Sequence, residues 1–252
     1  MRRVFHGKWG KGMILVLILW LIAVVTVIVM TLSRPASAGT GLRPVYRVDR
    51  NERVIALTFD AAWDDETTDA VLEILDAAGV RATFFFVGTF AQKYPETVVK
   101  IHNRGHEVAN HSMTHKDPTS LSDEELFLEI SACGEVLTSL TGVVPTLYRA
   151  PSGAWEERTV ETARSLGYTT VQWSADSVDW RDPEPDVIVR RIEKNACPGG
   201  ILLFHLGKEN TVKALPTILR DLMSDGYTFV TVSDLLLDGE TYVDPAGVQR
   251  AR

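Results

Sequence analysis

His111 and His115 stand four apart in His111-Ser-Met-Thr-His115, a spacing that lets two imidazoles reach one metal ion if the segment coils through a turn. A hydrolytic zinc centre holds its ion on three protein ligands and keeps one position for water. A carboxylate should complete such a set, and the nearest in strand order are Asp60, Asp64 and Asp65 of Phe59-Asp-Ala-Ala-Trp-Asp-Asp65. By itself a histidine pair is a modest signal, because histidine also serves as a satisfied polar residue near cores. Hydrolysis at such a centre asks for more: a strengthened water, a stabilised oxyanion and an acid that protonates the leaving group. Base and acid must be different groups, and Asp60 and His205 come from different strands.

The elements that would carry these residues are visible as period changes. Val54–Phe59 reads as a buried strand, and Thr67–Ala78 as a helix with Val71, Leu72, Ile74 and Leu75 on one side, ended by Gly79. Next come a strand at Ala82–Val87, a helix at Ala91–Arg104 and a strand at His106–Asn110. A helix at Ser122–Thr141 opens with Ser122 and Glu125 in capping-box spacing. Weaker pairs run through Tyr148, Trp155–Leu166, Thr169–Trp173, Pro185–Ala196, Ile201–Phe204, Val212–Asp225 and Thr228–Val232. Seven strands alternating with helices imply a parallel sheet, closed or nearly closed into a barrel, with a doubly wound open sheet as the alternative. Chemistry then belongs at the carboxyl ends of the strands, where Asp60, His111, His115, Arg149, Asp176, Asp179 and His205 fall.

Five stretches taken in order, Thr58-Phe-Asp60, His111-Ser-Met-Thr-His115, Arg149-Ala-Pro-Ser-Gly153, Asp176-Ser-Val-Asp-Trp180 and Leu202-Leu-Phe-His205, resemble the motifs of the polysaccharide deacetylases with the NodB homology domain, carbohydrate esterase family 4. With a membrane segment and no other domain, the chain looks most like the sporulation-type subgroup. The resemblance implies a deformed (β/α)7 barrel and metal-dependent removal of acetyl groups from an N-acetylated glycan such as peptidoglycan or a chitin-like polymer. It implies that His111 and His115 hold a divalent metal, zinc by preference, and that Asp60 is the base and His205 the acid. Arg149 would orient Asp60, Asp179 would tune His205, the Ser152 backbone N–H would help hold the oxyanion, and Trp180 would wall the groove. Where the family usually has a second Asp as carboxylate ligand, this chain has Ala61. Three readings follow: Asp64 (or Asp65) reaches back over Trp63 to supply the oxygen, two histidines and waters bind metal weakly, or the protein only binds glycan. A hydrolase of a small acylated amide or ester is a further alternative. Ser152 also departs from a frequent Tyr, which a backbone donor tolerates.

Composition is that of a globular protein. The 252 residues are 45% hydrophobic and 23% charged, enough for a full core, and two cysteines are too few for a disulfide scaffold. Before Arg34 the charged residues are all basic (Arg2, Arg3, Lys8, Lys11), and beyond Arg34 stand 21 Lys and Arg against 33 Asp and Glu. So acidic a body is a poor partner for nucleic acid. Met13–Met30 is apolar apart from Thr26, long enough to cross a bilayer, and its basic flank predicts an inside N-terminus and an outside body. Ala36-Ser37-Ala38 offers a signal-peptidase site, so a secreted form is the alternative to an anchored one. The chain thus divides into a basic tail (1–12), a transmembrane or signal-anchor helix (13–33), a linker (34–52), the deacetylase-like domain (53–238) and a tail (239–252). Trp63 and Trp155 adjoin the motifs as candidates for sugar contacts. Sequence does not say whether Cys133 and Cys197 meet.

Overall fold

The computed structural model describes residues 41–252. In chain order the elements are β1 (Arg47–Val48), β2 (Val54–Ala61), α1 (Thr68–Ala78), β3 (Thr83–Phe86), α2 (Gly88–Lys93), α3 (Pro95–Asn103), β4 (Glu107–Asn110), α4 (Asp123–Thr141), β5 (Leu147–Tyr148), α5 (Glu157–Ser165), β6 (Thr169–Thr170), β7 (Ala175–Asp176), α6 (Pro185–Asn195), β8 (Ile201–His205), α7 (Glu209–Ser224), β9 (Thr228–Val230), α8 (Val232–Leu235), β10 (Thr241–Val243) and β11 (Val248–Ala251). The apolar segment Met13–Met30 lies outside the described residues, and among those described no helix is long and apolar enough to cross a membrane.

All pairings in the main sheet are parallel, in the order β6-β5-β4-β3-β2-β8-β7, with β9 added to the first residues of β2. The sheet curls into an incomplete barrel, as expected of a deformed (β/α)7 architecture. Its two layers follow from strand parity. Ile55, Leu57, Phe59 and Ala61 of β2 pack in one cluster with Leu72 and Leu75 of α1 and Leu215 and Leu219 of α7. Ala56 belongs to a second cluster with Phe85, Ala109, Leu147, Val171 and Ile201, in the barrel interior. Asp60 has the parity of Ala56, so its carboxylate is carried at the mouth of the interior, while Ala61 faces the helix layer.

Between β6 and β8 the seam is filled by chain from the segment read as linker. Val45 bridges Val171 and Arg47 bridges Gly200. β1 then pairs with β11, and β11 with β10, so residues read as linker and tail together form a small three-stranded sheet. That pairing joins positions about 200 apart, which no local period announces.

The capping box at Ser122 forms as read, with Ser122 Oγ accepting from Glu125 N–H. The helix expected over Ala91–Arg104 is instead two, α2 and α3, because Pro95 cannot follow a helical residue and Tyr94 turns out at φ −128°. Cys133 and Cys197 are both free thiols.

Candidate active site

Asp60, His111, His115, Ser152, Trp180 and His205 all line one cavity of about 550 Å³ at the carboxyl end of the sheet. Arg149 and Asp179, both fully buried, stand directly behind it. Arg149 Nη1 donates to Asp60 Oδ1 at 2.6 Å and to Thr58 Oγ1 at 3.0 Å, and Nη2 donates to the Gln172 carbonyl at 3.1 Å. Its guanidinium also lies 4.0 Å from the centre of the Phe85 ring. Burial alone would raise the Asp60 pKa, but the Arg149 charge, with His111 and His205, outweighs it and holds the carboxyl below its ordinary value. Asp60 is therefore an anion with one oxygen committed to Arg149 and the other, Oδ2, turned to His111 Nε2 at 3.4 Å.

His111 Nδ1 lies 2.8 Å from the Arg149 carbonyl, which can only accept, so this nitrogen carries the proton and Nε2 keeps its lone pair. Burial outweighs the pull of Asp60 and drops the His111 pKa to about 4, leaving the ring neutral at pH 7. His115, its ring centre 5.0 Å from that of His111, is likewise pushed down by burial. The connecting loop holds Ser112 at φ 71° and His115 at φ 59°, conformations that non-glycine residues avoid. It is latched from behind by Glu129 of α4, whose carboxylate accepts from Ser112 Oγ at 2.6 Å, Thr114 N–H at 2.8 Å and Thr114 Oγ1 at 2.5 Å. Glu129 escapes sequence reasoning, because a single Glu in a polar helix carries no mark of the loop it will meet.

On the opposite wall, His205 Nδ1 meets Asp179 Oδ1 at 2.6 Å. Asp179 Oδ2 accepts from the His205 backbone N–H at 2.9 Å and from Thr211 Oγ1 at 2.6 Å. Burial alone would lower the His205 pKa, but the Asp179 hydrogen bond and charge, helped by Asp60 and Asp176, lift it above its usual value. The turn that aims Asp179 is strained: Val178, a β-branched residue, sits at φ 56°. Ser152 is at φ 56° on the rim, and Trp180 is 48% exposed there. Trp155 is tied by its indole N–H to the Tyr46 hydroxyl at 2.9 Å and does not line the cavity.

The donor set for a metal is incomplete. Among the described residues no three His, Cys, Asp or Glu side chains are grouped to hold an ion. Asp64 packs against Gly207, its Oδ1 2.5 Å from where a β-carbon there would stand, and accepts from the Glu66 N–H at 3.3 Å. Asp65 Oδ2 accepts from Thr97 Oγ1 at 2.7 Å. Neither lines the cavity, so the carboxylate beside the two imidazoles is Asp60 itself, with Oδ2 3.4 Å from His111 Nε2 and Oδ1 held by Arg149, and no second one joins it from this loop. In a competitive zinc titration Asp64→Ala is expected to bind within twofold of the unmutated protein, whereas His111→Ala loses about 100-fold or more. A tenfold loss in Asp64→Ala would instead show that this carboxylate swings round Trp63 to the ion.

A carboxylate held in its charged form and an imidazole whose pKa is raised face one cavity on a curled parallel sheet, an arrangement that can supply a base and an acid to a hydrolysis. Residues 47–171 match the family model described as polysaccharide deacetylase. A peptidoglycan-N-acetylglucosamine deacetylase of Bacillus cereus is 39% identical, over 76% of this chain and 92% of its own length. A peptidoglycan-N-acetylmuramic acid deacetylase of Bacillus subtilis is 32% identical, over 82% of this chain and 83% of its own. Among solved structures, a family-4 pseudoenzyme from Bacillus anthracis superposes with a TM-score of 0.75 at 31% identity, over 77% of this chain and 68% of that one. The chain belongs to the polysaccharide deacetylase family, the carbohydrate esterases of family 4 that hydrolyse N-acetyl amide bonds.

Proposed function

We propose that this protein removes acetyl groups from N-acetylhexosamine units of peptidoglycan, in the cell wall or spore cortex, from a position at the outer face of the membrane. The carrying observation is the opposed pair: Asp60 bonded to Arg149, and His205 bonded to Asp179, both facing one cavity. Asp60 Oδ2 takes a proton from the water that attacks the acetamido carbon. His205 Nε2 then gives its proton to the amide nitrogen as the C–N bond breaks, leaving acetate and a free amine. Ser152 lines the same cavity, and its backbone N–H is the donor that this reading assigns to the oxyanion. Zinc, the metal the family resemblance implies, would find His111 and His115 as ligands and no carboxylate beside them other than Asp60, the base of this reading; the acid and base steps stand on the chain's own side chains. Location rests on the apolar Met13–Met30 and its basic flank.

Acetate release from purified peptidoglycan strands, with and without added zinc, tests this. A second reading, a glycan-binding protein without turnover, is favoured by Ala61 at the ligand position and wins if glycan binds and no acetate appears.

The pH dependence has a definite sign. Asp60 lies below its ordinary value and His111 near 4, so kcat/KM is expected to hold its plateau down to about pH 4. It falls on the alkaline side as His205 loses its proton, above the histidine value of 6.5. In Asp179→Asn burial acts on His205 without the carboxylate, and the alkaline limb moves to lower pH. An unmoved limb would remove His205 from the acid's role.

A further inference from the structure

Lys208 is the single Lys or Arg among the residues lining the cavity. It stands three residues beyond His205, after a turn at Gly207 (φ +80°) whose missing side chain makes room for the Asp64 carboxylate. Its Nζ lies 5.3 Å from the centre of the Trp63 ring, and that ring lies 5.6 Å from His205 and 6.2 Å from His115. Trp63 is half exposed, an open aromatic face at the mouth.

No carboxylate among the described residues lies within ion-pair distance of Lys208, whereas Lys100, Arg104, Arg190 and Arg250 each hold an acidic partner. Glu209, next to it in the chain, makes no ion pair with it, and three other acids nearby in the chain or the cavity each accept a hydrogen bond from another group. Asp64 accepts from the Glu66 N–H, Asp176 from the Val178 N–H at 2.7 Å, and Asp182 from Asn210 Nδ2 at 3.0 Å. A cation held over an aromatic face, one ring from the catalytic histidine and without a counter-ion, is matched by a sugar that stacks on Trp63 and carries an anion.

The reacting acetamido group must lie between Asp60 and His205. On a hexosamine the oxygen of the neighbouring ring carbon is then the substituent next to it, within reach of the rim. A plain N-acetylglucosamine offers a hydroxyl there, and a muramic-type residue an ether-linked carboxylate. We propose that Lys208 and Trp63 form an anion subsite that selects N-acetylhexosamines bearing a carboxylate beside the acetamido group. This rests on the deacetylase reading and names the substrate class within it.

The test compares glycan strands with free muramic carboxylates, the same strands with those carboxylates amidated, and a neutral N-acetylglucosamine oligomer, scored for acetate release and, separately, for affinity. The unmutated protein is expected to favour the free carboxylate, a preference that 0.5 M salt weakens. Lys208→Met should cut the carboxylate-to-neutral ratio of kcat/KM, and of affinity, about tenfold, the worth of one charge-assisted hydrogen bond, and Lys208→Arg should retain it. Equal handling of the three glycans by the unmutated protein, or a ratio unmoved in Lys208→Met, overturns the subsite. Absence of acetate from every glycan overturns the deacetylase reading, and the affinity ratio then still decides the subsite.

Discussion

His205→Gln is expected to lower kcat for acetate release by about 10²–10⁴-fold, the range that a positioned general acid contributes, with little change in KM. The reason is specific to amides, whose amine leaves poorly unless protonated, and His205 is the imidazole lining the cavity with a raised pKa. Two further outcomes separate this from a general disturbance of the site. The alkaline limb of the pH profile, assigned to His205, should vanish. An acetate ester of an acidic phenol, which leaves without a proton, should lose less than tenfold. The fold should tolerate the change, since Asp179 keeps Thr211 Oγ1 and a backbone N–H as donors. Equal losses on amide and ester, or a limb that persists, would place the acid elsewhere.

How much of this site was legible in the chain depends on the range of the interaction concerned. Asp60, His111, Arg149 and His205 could be placed together because each follows a short apolar run, and parallel strands deliver their carboxyl ends to one side. Strand parity goes further, since it separates Asp60, carried to the mouth, from Ala61, buried against the helices. Contacts made by residues without a local signature were hidden. Thr211 meets Asp179 only because α7 starts beside β8, and Glu129 meets the histidine loop only because α4 crosses behind β4. Asp64 is the opposite case. Proximity in sequence and the right chemistry suggested a ligand, but the turn through Trp63 sends its carboxylate to Gly207. The sheet formed by β1, β10 and β11 failed for want of pattern, because strands of two to four residues carry too few alternations to be told from loop.

Arg149→Met should destabilise the protein by about 3–5 kcal/mol at pH 7, because it leaves the Asp60 charge in the interior without its partner. Asp60→Asn strands the guanidinium charge instead, leaving it neutral acceptors, among them Thr58 Oγ1 and the Gln172 carbonyl, and should cost a comparable amount. The two losses should not add. Arg149→Met with Asp60→Asn removes both charges, so urea unfolding of the double variant should show it more stable than either single one, a coupling of about 1–3 kcal/mol or more. The pH dependence carries the sign. In the unmutated protein the Asp60 pKa is held below 3.8, so its contribution is full above that value and lost as the pH falls through the folded-state pKa. Without Arg149, burial dominates and lifts the Asp60 pKa. The deficit of Arg149→Met should then shrink as the pH is lowered from 7 toward 4 and the carboxyl takes up its proton, whereas the double variant lacks that dependence. Asp60→Asn and the double variant should lose acetate release because the base is absent, and Arg149→Met should lose it progressively as the pH falls and Asp60 takes up its proton. Additive losses with a pH-independent deficit would mean that Arg149 fills space and does not hold the base in its charged form.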